Sequence, residues 1–194
     1  MKLKIYGALF ALSALFLASC SESITNPRGT IFPYMDISPG TLWTYVKTDS
    51  LAGNNKSNVY HKVLNTRLEG TTTVYGLEIS TADYTDTITL AVEINTLTFY
   101  GNLTEDRNYF RFPLRTGEKW KNPLTGIVDS FTVTGKEMVV VNGTAYDVWK
   151  IRRSYGGLNE YGEKIFYYDE RKGFVRITFN EWGYNFSNYS MDLK

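Results

Sequence analysis

Alternation of apolar and polar residues with a period of two is the feature that most constrains the fold of this chain. It is cleanest in residues 87–94, where Ile88, Leu90, Val92 and Ile94 share one phase. Beyond the N-terminal region, no long stretch places apolar residues at the helical period of about 3.6. The pattern predicts β-strands that pack on one face and contact water on the other.

A second alternating run occupies residues 173–179. Val175, Ile177 and Phe179 share one phase, and Phe174 falls in the other phase together with polar neighbours. Because successive side chains of a strand point to opposite faces, this run predicts that Phe174 and Ile177 lie on opposite sides of the sheet.

Turn-forming dipeptides divide the body of the chain at short intervals. Asn142-Gly143 separates two strand-like runs and is the strongest hairpin signal, because both residues tolerate positive φ. Glu69-Gly70, Gly156-Gly157 and Lys172-Gly173 are weaker breaks of the same kind. Since tight turns join antiparallel neighbours, we expect about ten to twelve strands in an all-β antiparallel meander, which forms either a sandwich or a half-open barrel.

Two parts of the chain have similar sequences. Residues 32–43 and residues 112–120 both contain Phe-Pro followed by Gly-x-x-Trp. The glycine permits a tight turn into a strand, and the tryptophan then closes the end of a sheet layer. The similarity predicts two duplicated β units, about 30–105 and 106–194, within one domain. The alternative is a chance similarity in an aromatic-rich β chain.

The N-terminus has the pattern of a secretory signal peptide. Lys2 and Lys4 form a short basic start, and residues 5–18 carry no charge and are almost wholly apolar. This apolar run of about 14 residues is shorter than the roughly 20 that a transmembrane helix needs. We therefore expect residues 1–19 to be a signal peptide.

The run ends in Leu17-Ala18-Ser19-Cys20, which contains the only cysteine of the chain. This segment resembles the lipobox of bacterial lipoproteins. The resemblance implies that Cys20 is the lipid attachment site: its thiol carries diacylglycerol, a peptidase cuts before it, and an acyl chain such as palmitate is added to the new amino group. Several acyl chains would anchor the protein stably in a membrane. An ordinary signal peptide with a chance cysteine and an uncleaved N-terminal anchor are the alternatives.

The residues after Cys20 suggest where the protein goes. In lipoproteins of enterobacteria-like envelopes, Asp at the position after the cysteine retains the protein in the inner membrane. Ser21 stands there instead and resembles the default route to the outer membrane, facing either the periplasm or the cell surface. Residues 20–29 are polar and rich in turn formers, so we expect a flexible tether. Residues 30–194 would form the single all-β domain. The chain without its leader has 19 basic and 20 acidic residues, and this balance argues against nucleic-acid binding.

Short motifs in the body resemble a loosely defined group of bacterial envelope β-proteins, many of them lipoproteins. These sequences contain Pro-Leu followed by Gly-x-x-Trp, and later a Tyr that precedes Gly-Phe-Val. Residues 112–120 and 167–175 match that description. The resemblance implies an antiparallel β domain similar to the curved half-barrel of the lipoprotein carriers LolA and LolB, and it transfers no catalytic residue.

Few residues could support catalysis. His61 is the only histidine, and no Gly-x-Ser-x-Gly motif supplies a nucleophile for it. Asp83 and Asp86, or Asp169-Glu170, could form a carboxylate pair, but charged residues at turns usually contact solvent. No spacing typical of a metal or phosphate site occurs. We therefore expect a non-enzyme without metal or cofactor, with a carboxylate-pair hydrolase as a remote alternative.

Aromatic side chains are the remaining candidates for a binding site. Trp43, Trp120, Trp182 and Tyr184 are predicted to contact a ligand, and the loop that carries Trp182 and Tyr184 is predicted to form an exposed cluster. The leading hypothesis is a lipid-anchored envelope protein that binds an apolar ligand or a protein partner through a curved β sheet. The alternative is a surface lipoprotein that binds glycans through its exposed aromatic rings.

Overall fold

The structure is a computed structural model of the 194-residue chain. It describes residues 37–102, 107–125, 128–157, 161–183 and 186–194. The predicted leader, Cys20 and the tether lie outside the described residues. Within the described part, no helix is long and apolar enough to span a bilayer.

The described residues form twelve β-strands. They are β1 (Leu42–Asp49), β2 (Asn55–Glu69), β3 (Thr72–Ser80), β4 (Thr85–Val92), β5 (Thr96–Tyr100), β6 (Asn108–Arg111), β7 (Lys119–Lys121), β8 (Val128–Val141), β9 (Thr144–Gly156), β10 (Tyr161–Asp169), β11 (Gly173–Trp182) and β12 (Ser187–Leu193).

All twelve strands belong to one antiparallel sheet. Their order is β6-β5-β4-β3-β2-β1-β12-β11-β10-β9-β8-β7, so the first and last strands pair in the middle and β6 and β7 form the two edges. The prediction of an all-β antiparallel meander is confirmed. A single curved sheet that does not close corresponds to the half-open barrel, and not to the two stacked sheets of a sandwich.

The strongest predicted hairpin is present. Val141 pairs with Thr144, so β8 and β9 are joined by a two-residue turn made of Asn142 and Gly143. Their φ angles of 47° and 81° lie in the left-handed region, as a type I′ turn requires. The register of the two longest paired strands of the C-terminal half is therefore set by a local signal.

The two similar sequence segments have the same local structure. Gly40 and Gly117 have φ angles of 93° and 82°, and each precedes a tryptophan near the start of a strand. The Gly40 amide donates to the Val63 carbonyl at 2.8 Å, and the Gly117 amide donates to the Val133 carbonyl at 2.8 Å. A β-bulge follows Val63 in β2 and Val133 in β8. The matched turns, bonds and bulges, with six strands in each half, agree with two related β units.

A β-bulge changes the faces predicted for β11. Tyr167 of β10 pairs with Arg176, but Tyr168 pairs with Phe174, so Val175 is the extra residue. As a result, Phe174 and Ile177 face the same concave interior, whereas Val175 packs in a separate cluster. The prediction that Phe174 and Ile177 lie on opposite faces is wrong, because a bulge breaks the period of two.

Phenylalanine rings from both halves of the sheet form the centre of the main core. Phe110, on the edge strand β6, lies 4.9 Å from both Phe166 and Phe174 and 5.4 Å from Phe131, measured between ring centroids. All four side chains are almost completely buried. Because β6 belongs to the N-terminal half and the other three rings belong to the C-terminal half, this contact curls the sheet around one core.

The two edge strands are linked by side chains. The Trp120 indole Nε1, on β7, donates to the Tyr109 carbonyl of β6 at 2.7 Å. The Asn122 amide Nδ2, just after β7, donates to the Arg107 carbonyl, just before β6, at 2.7 Å. We call this contact between the two edges the seam. It satisfies backbone carbonyls that an open edge would expose, although no strand pairing among the described residues closes the barrel.

A buried ion pair supports the seam from inside. Arg153 of β9 donates to both carboxylate oxygens of Asp129 of β8, at 3.0 and 2.7 Å, and the two side chains are fully buried. Its third donor, Nη1, reaches the Asn108 side-chain oxygen of β6 at 2.9 Å. Asn122 also donates to Asp129, at 2.8 Å. The network thus joins both edges through one bidentate pair.

We predict that Asp129→Asn destabilises the protein by about 3–5 kcal/mol, because it leaves the Arg153 charge buried without its counter-ion. The free energy of unfolding can be measured by urea denaturation of a chain that begins at Ser21. That chain retains every described strand and core residue.

The matched control is Asp147→Asn. Asp147 forms an exposed ion pair with Lys136 at 3.7 Å. Exposed pairs contribute about 0–1 kcal/mol, so this variant should unfold almost as the wild type does. Equal, small losses in the two variants would mean that the buried pair does not support the seam.

Candidate functional site

The concave side of the half-barrel contains a pocket of about 460 Å³. Its lining comes from β1 to β6 and from β10 to β12, so both halves of the sheet contribute. The volume falls within the range of about 300–1,000 Å³ that is typical of small-molecule sites. We refer to it as the central pocket.

One end of the central pocket is apolar and deep. Leu77, Leu90, Phe110 and Phe166 line it, and all four side chains are almost completely buried. Tyr45 adds its ring to the wall and donates its hydroxyl to the Phe174 carbonyl at 2.9 Å. Burial raises the pKa of this hydroxyl. The deep end therefore offers apolar contacts to a ligand. The Tyr45 hydroxyl at this end is already hydrogen-bonded within the protein.

The other end of the central pocket carries polar side chains, and we call it the mouth. Lys47 lies near the end of β1, and Lys164 lies near the start of β10. Thr81 and Tyr84 come from the turn between β3 and β4. All of these chain segments meet at the same end of the sheet, because neighbouring strands are antiparallel. More than half of Tyr84 is exposed, so the mouth reaches solvent.

His61 lines the central pocket from β2. Its ring centroid lies 4.9 Å from that of Tyr45, with the two planes tilted by 53°. Burial lowers the pKa of the imidazole to about 4. At neutral pH the ring is therefore uncharged, so one ring nitrogen can donate a hydrogen bond and the other can accept one.

The three described aromatic residues that were predicted to bind a ligand, Trp43, Trp120 and Trp182, are not brought together. Trp43 lines the central pocket. Trp120 is instead buried at the seam, where its ring stacks on Phe131 with centroids 5.3 Å apart. Trp182 is 47% exposed and stacks on a second exposed ring across the β10–β11 pair. Tyr184 lies outside the described residues.

The exposed pair at Trp182 offers a limited surface. Its partner is Tyr161, with ring centroids 5.6 Å apart and planes inclined by 26°. Because the two rings face each other, each covers one face of the other. The pair leaves less free aromatic surface for sugar stacking than two separate, coplanar rings would.

Sequence reasoning overlooked the two pocket lysines. Lys47 follows Trp43 and Tyr45 at intervals of two along β1, and Lys164 precedes Phe166 at the same interval along β10. A lysine in phase with inward aromatic residues on a strand is the signal that could have identified both. Sequence cannot show that strands so distant in the chain meet across one pocket.

The carboxylates considered for a hydrolase have other roles. Asp169 accepts hydrogen bonds from the Arg171 and Lys172 amides at 2.8 and 2.9 Å, and so forms the β10–β11 turn. Asp86 is partly exposed, and hydrogen bonds from the Tyr84 hydroxyl and the Thr87 amide lower its pKa. Among the described residues, no cluster of three histidine, cysteine or acidic side chains could hold a metal ion.

The chain matches no protein-family profile and no curated protein sequence. Two solved structures are similar to it. One is a protein of Bacteroides fragilis that is inferred to be exported and has a YmcC-like fold; it has 10% identity and a TM-score of 0.52, over 82% of this chain and 96% of that protein. The other is an inferred lipoprotein of Parabacteroides distasonis, with 11% identity and a TM-score of 0.47 over 84% of this chain and 96% of that protein.

At such low identity, the similarity concerns the fold and not the function. The Bacteroides fragilis match supports the antiparallel half-barrel over most of this chain. These comparisons do not test the resemblance to the half-barrel of LolA and LolB, which stays a prediction.

We predict that the free energy of unfolding falls as the pH drops from about 6.5 to about 4, in part through His61. Its pKa in the folded protein is about 4, below the ordinary value of about 6.5, so the unfolded chain binds the proton more readily. Because the chain has a single histidine, one imidazole resonance in a proton NMR titration reports this pKa directly.

The control is His61→Gln. Its free energy of unfolding should lose the part of the pH dependence that comes from the imidazole and keep the part that comes from other groups. A ring that titrates near 6.5 in the folded protein would contradict a buried position in the central pocket.

Proposed function

We propose that this chain is a lipid-anchored protein of the bacterial cell envelope that holds an apolar ligand in its half-barrel and catalyses no reaction. The central pocket is the observation that carries the proposal. It combines a volume of about 460 Å³ with a deep end of buried apolar side chains and a mouth that reaches solvent. These are the general properties of a small-molecule binding site.

The pocket favours a small ligand over a protein partner. Its apolar side chains lie inside the curved sheet, where a small molecule can be enclosed by both halves. A protein partner would need a broad exposed surface or a free sheet edge. The edges β6 and β7 are instead linked to each other at the seam by Trp120 and Asn122.

The location rests on the N-terminal sequence. The segment Leu17–Cys20 resembles a lipobox, and the residue after Cys20 is Ser21 and not the Asp that retains lipoproteins in the inner membrane. The Bacteroides fragilis protein with the same fold is inferred to be exported, which agrees with an envelope location. On this proposal the half-barrel faces the periplasm or the cell surface on a short polar tether.

We predict that Ile79→Trp blocks ligand binding, because Ile79 lines the central pocket and an indole in its place would occupy the cavity. The assay is titration of the chain from Ser21 with N-phenyl-1-naphthylamine, a neutral apolar probe that fluoresces when it leaves water. The affinity of this variant should fall by about tenfold or more, since filling the pocket removes most of the apolar contact area.

Ile94→Trp is the matched control. Ile94 is more than half exposed in the β4–β5 turn and does not line the pocket, so this variant should bind the probe as the wild type does. Circular dichroism of both variants shows whether the fold is retained. Unchanged probe binding in a folded Ile79→Trp variant would place the site elsewhere.

We also predict that Cys20→Ser abolishes lipid attachment. Cells that express the full chain would be labelled with a clickable palmitate analogue, and the protein would be followed in membrane and soluble fractions. The wild type should carry label and sediment with membranes, because several acyl chains give stable anchoring. Ser23→Ala, which lies outside the lipobox, should behave as the wild type does. Label that persists in Cys20→Ser would refute the lipoprotein assignment.

A further inference from the structure

Two polar side chains of the central pocket lie beside each other in the sheet. Trp43 of β1 and His61 of β2 are paired across the two strands, and both line the pocket. The β-carbons of directly opposed residues on antiparallel strands are about 4.5–5.5 Å apart. The indole and the imidazole therefore form one continuous part of the pocket wall. We call Trp43 and His61 the polar pair.

The polar pair lies halfway along the pocket. His61 pairs on its other side with Ile79 of β3, which also lines the pocket. Leu77 of the deep end comes two residues before Ile79, and Thr81 of the mouth comes two residues after it. Because alternate residues of a strand share one face, these three side chains follow each other from the deep end to the mouth.

Neither ring of the polar pair has a hydrogen-bond partner within the described part of the chain. The imidazole of His61 contacts the Tyr45 ring, with centroids 4.9 Å apart, and the indole of Trp43 packs against apolar side chains. Both side chains are half-buried and border the pocket. Their nitrogens are therefore available to a molecule that enters it.

The open donor of Trp43 is not a general property of the fold. Trp120, at the matching position of the second half, donates its indole N–H to the Tyr109 carbonyl at 2.7 Å. Trp149 donates its indole N–H to the Glu170 carboxylate at 2.9 Å. The difference between Trp43 and Trp120 thus accompanies the difference in place, since one lines the pocket and the other closes the seam.

The other uncharged polar groups around the pocket are engaged within the protein. They are Tyr45, which donates to the Phe174 carbonyl; Asn108, which accepts from Arg153; Thr81, which accepts from the Asp83 amide; and Tyr84, which donates to Asp86. The two lysines at the mouth also have contacts, because their ammonium groups lie 4.4 and 5.0 Å from the ring centroids of Tyr189 and Phe179. The polar pair stands apart from this set.

The chemistry of the polar pair favours an oxygen atom as its partner. An indole N–H only donates, whereas a neutral imidazole donates at one nitrogen and accepts at the other. A wholly apolar ligand would cover these nitrogens without giving them a partner, and a buried polar group without a partner costs free energy. A ligand oxygen at this position would accept from Trp43 and would bind His61 as well.

An uncharged oxygen group suits the polar pair better than an ionised one. Burial lowers the pKa of His61 to about 4, so the imidazole is neutral at pH 7 and offers no positive charge. The neighbouring side chains Val59, Leu77 and Ile79 are apolar. A carboxylate between them would lose its water without gaining a counter-ion there.

We propose that the ligand of the central pocket is an apolar molecule with an uncharged oxygen, a hydroxyl or a carbonyl, partway along its length, and that Trp43 and His61 bind this oxygen. The apolar part beyond the oxygen lies against the deep end. This inference rests on the proposed function, since it names the class of ligand that the same pocket takes.

The test compares three ligands with the same carbon chain: nonan-5-one, nonan-5-ol and 5-chlorononane, in which chlorine, a poor hydrogen-bond acceptor, replaces the oxygen. Each ligand displaces N-phenyl-1-naphthylamine from the chain that begins at Ser21, and the fluorescence gives its dissociation constant. We expect at least one of the oxygen ligands to bind about threefold to tenfold more tightly than 5-chlorononane, as one or two hydrogen bonds would produce. The ratio between ketone and alcohol distinguishes a carbonyl from a hydroxyl.

Two variants assign the effect to the polar pair. Trp43→Phe and His61→Phe keep an aromatic ring and remove its nitrogens, so each should lower the preference for the oxygen ligands towards equality with 5-chlorononane. Trp182→Phe is the matched control, because Trp182 is 47% exposed and does not line the pocket. Circular dichroism identifies a variant that does not fold, and the other variant then carries the test.

An infrared measurement reports the hydrogen bond directly. The carbonyl band of nonan-5-one bound to the wild type should lie at a lower wavenumber than in hexane, because a hydrogen bond weakens the C=O bond. In each folded variant of the polar pair the band should move towards its position in hexane. A change in packing alone would alter the affinity without this shift.

The possible results separate this inference from the proposed function. Equal affinities of the wild type for all three ligands, or a preference that persists in every folded variant of the polar pair, would overturn the oxygen site and leave the apolar pocket standing. Binding of the naphthylamine probe without displacement by any of the three ligands would do the same. No binding of the three ligands or of the probe would contradict the proposed function itself.

Discussion

The link between the two edges of the sheet centres on the buried ion pair between Arg153 and Asp129. A twelve-stranded meander could remain an open, twisted sheet, and its two edge strands would then expose backbone donors and acceptors. The guanidinium instead binds Asp129 with two nitrogens and Asn108 of the opposite edge with the third. Together with the hydrogen bonds of the seam, this network holds both edges of the sheet beside one cavity.

Much of the fold follows from local sequence. The turn at Asn142-Gly143 needs two residues with positive φ, and the sequence supplies the pair that adopts them most readily. The glycines at 40 and 117 mark equivalent turns before the two related tryptophans. Such signals define hairpins, and a chain of hairpins defines an antiparallel meander, because consecutive strands then have only one way to pair.

The site is less predictable, because it depends on bulges and on contacts between distant strands. The extra residue Val175 turns Phe174 towards the cavity, and no feature of the alternating pattern announces it. Trp43 and Trp120 occupy matching positions in sequence, yet one lines the central pocket and the other is buried at the seam. Asp129 and Asn108, which bind Arg153, lie on other strands and far from it in the sequence. The alternating pattern therefore does not predict this ion pair.

A ligand in the central pocket would be enclosed between the two halves of the half-barrel. The most direct measurement is a set of nuclear Overhauser effects between ¹³C-labelled nonan-5-one and the methyl groups of the protein. We expect effects from the terminal methyl of the ligand to Leu77 and Leu90, which line the deep end. Effects confined to exposed residues such as Leu68 or Ile94 would contradict it, since those side chains lie outside the pocket.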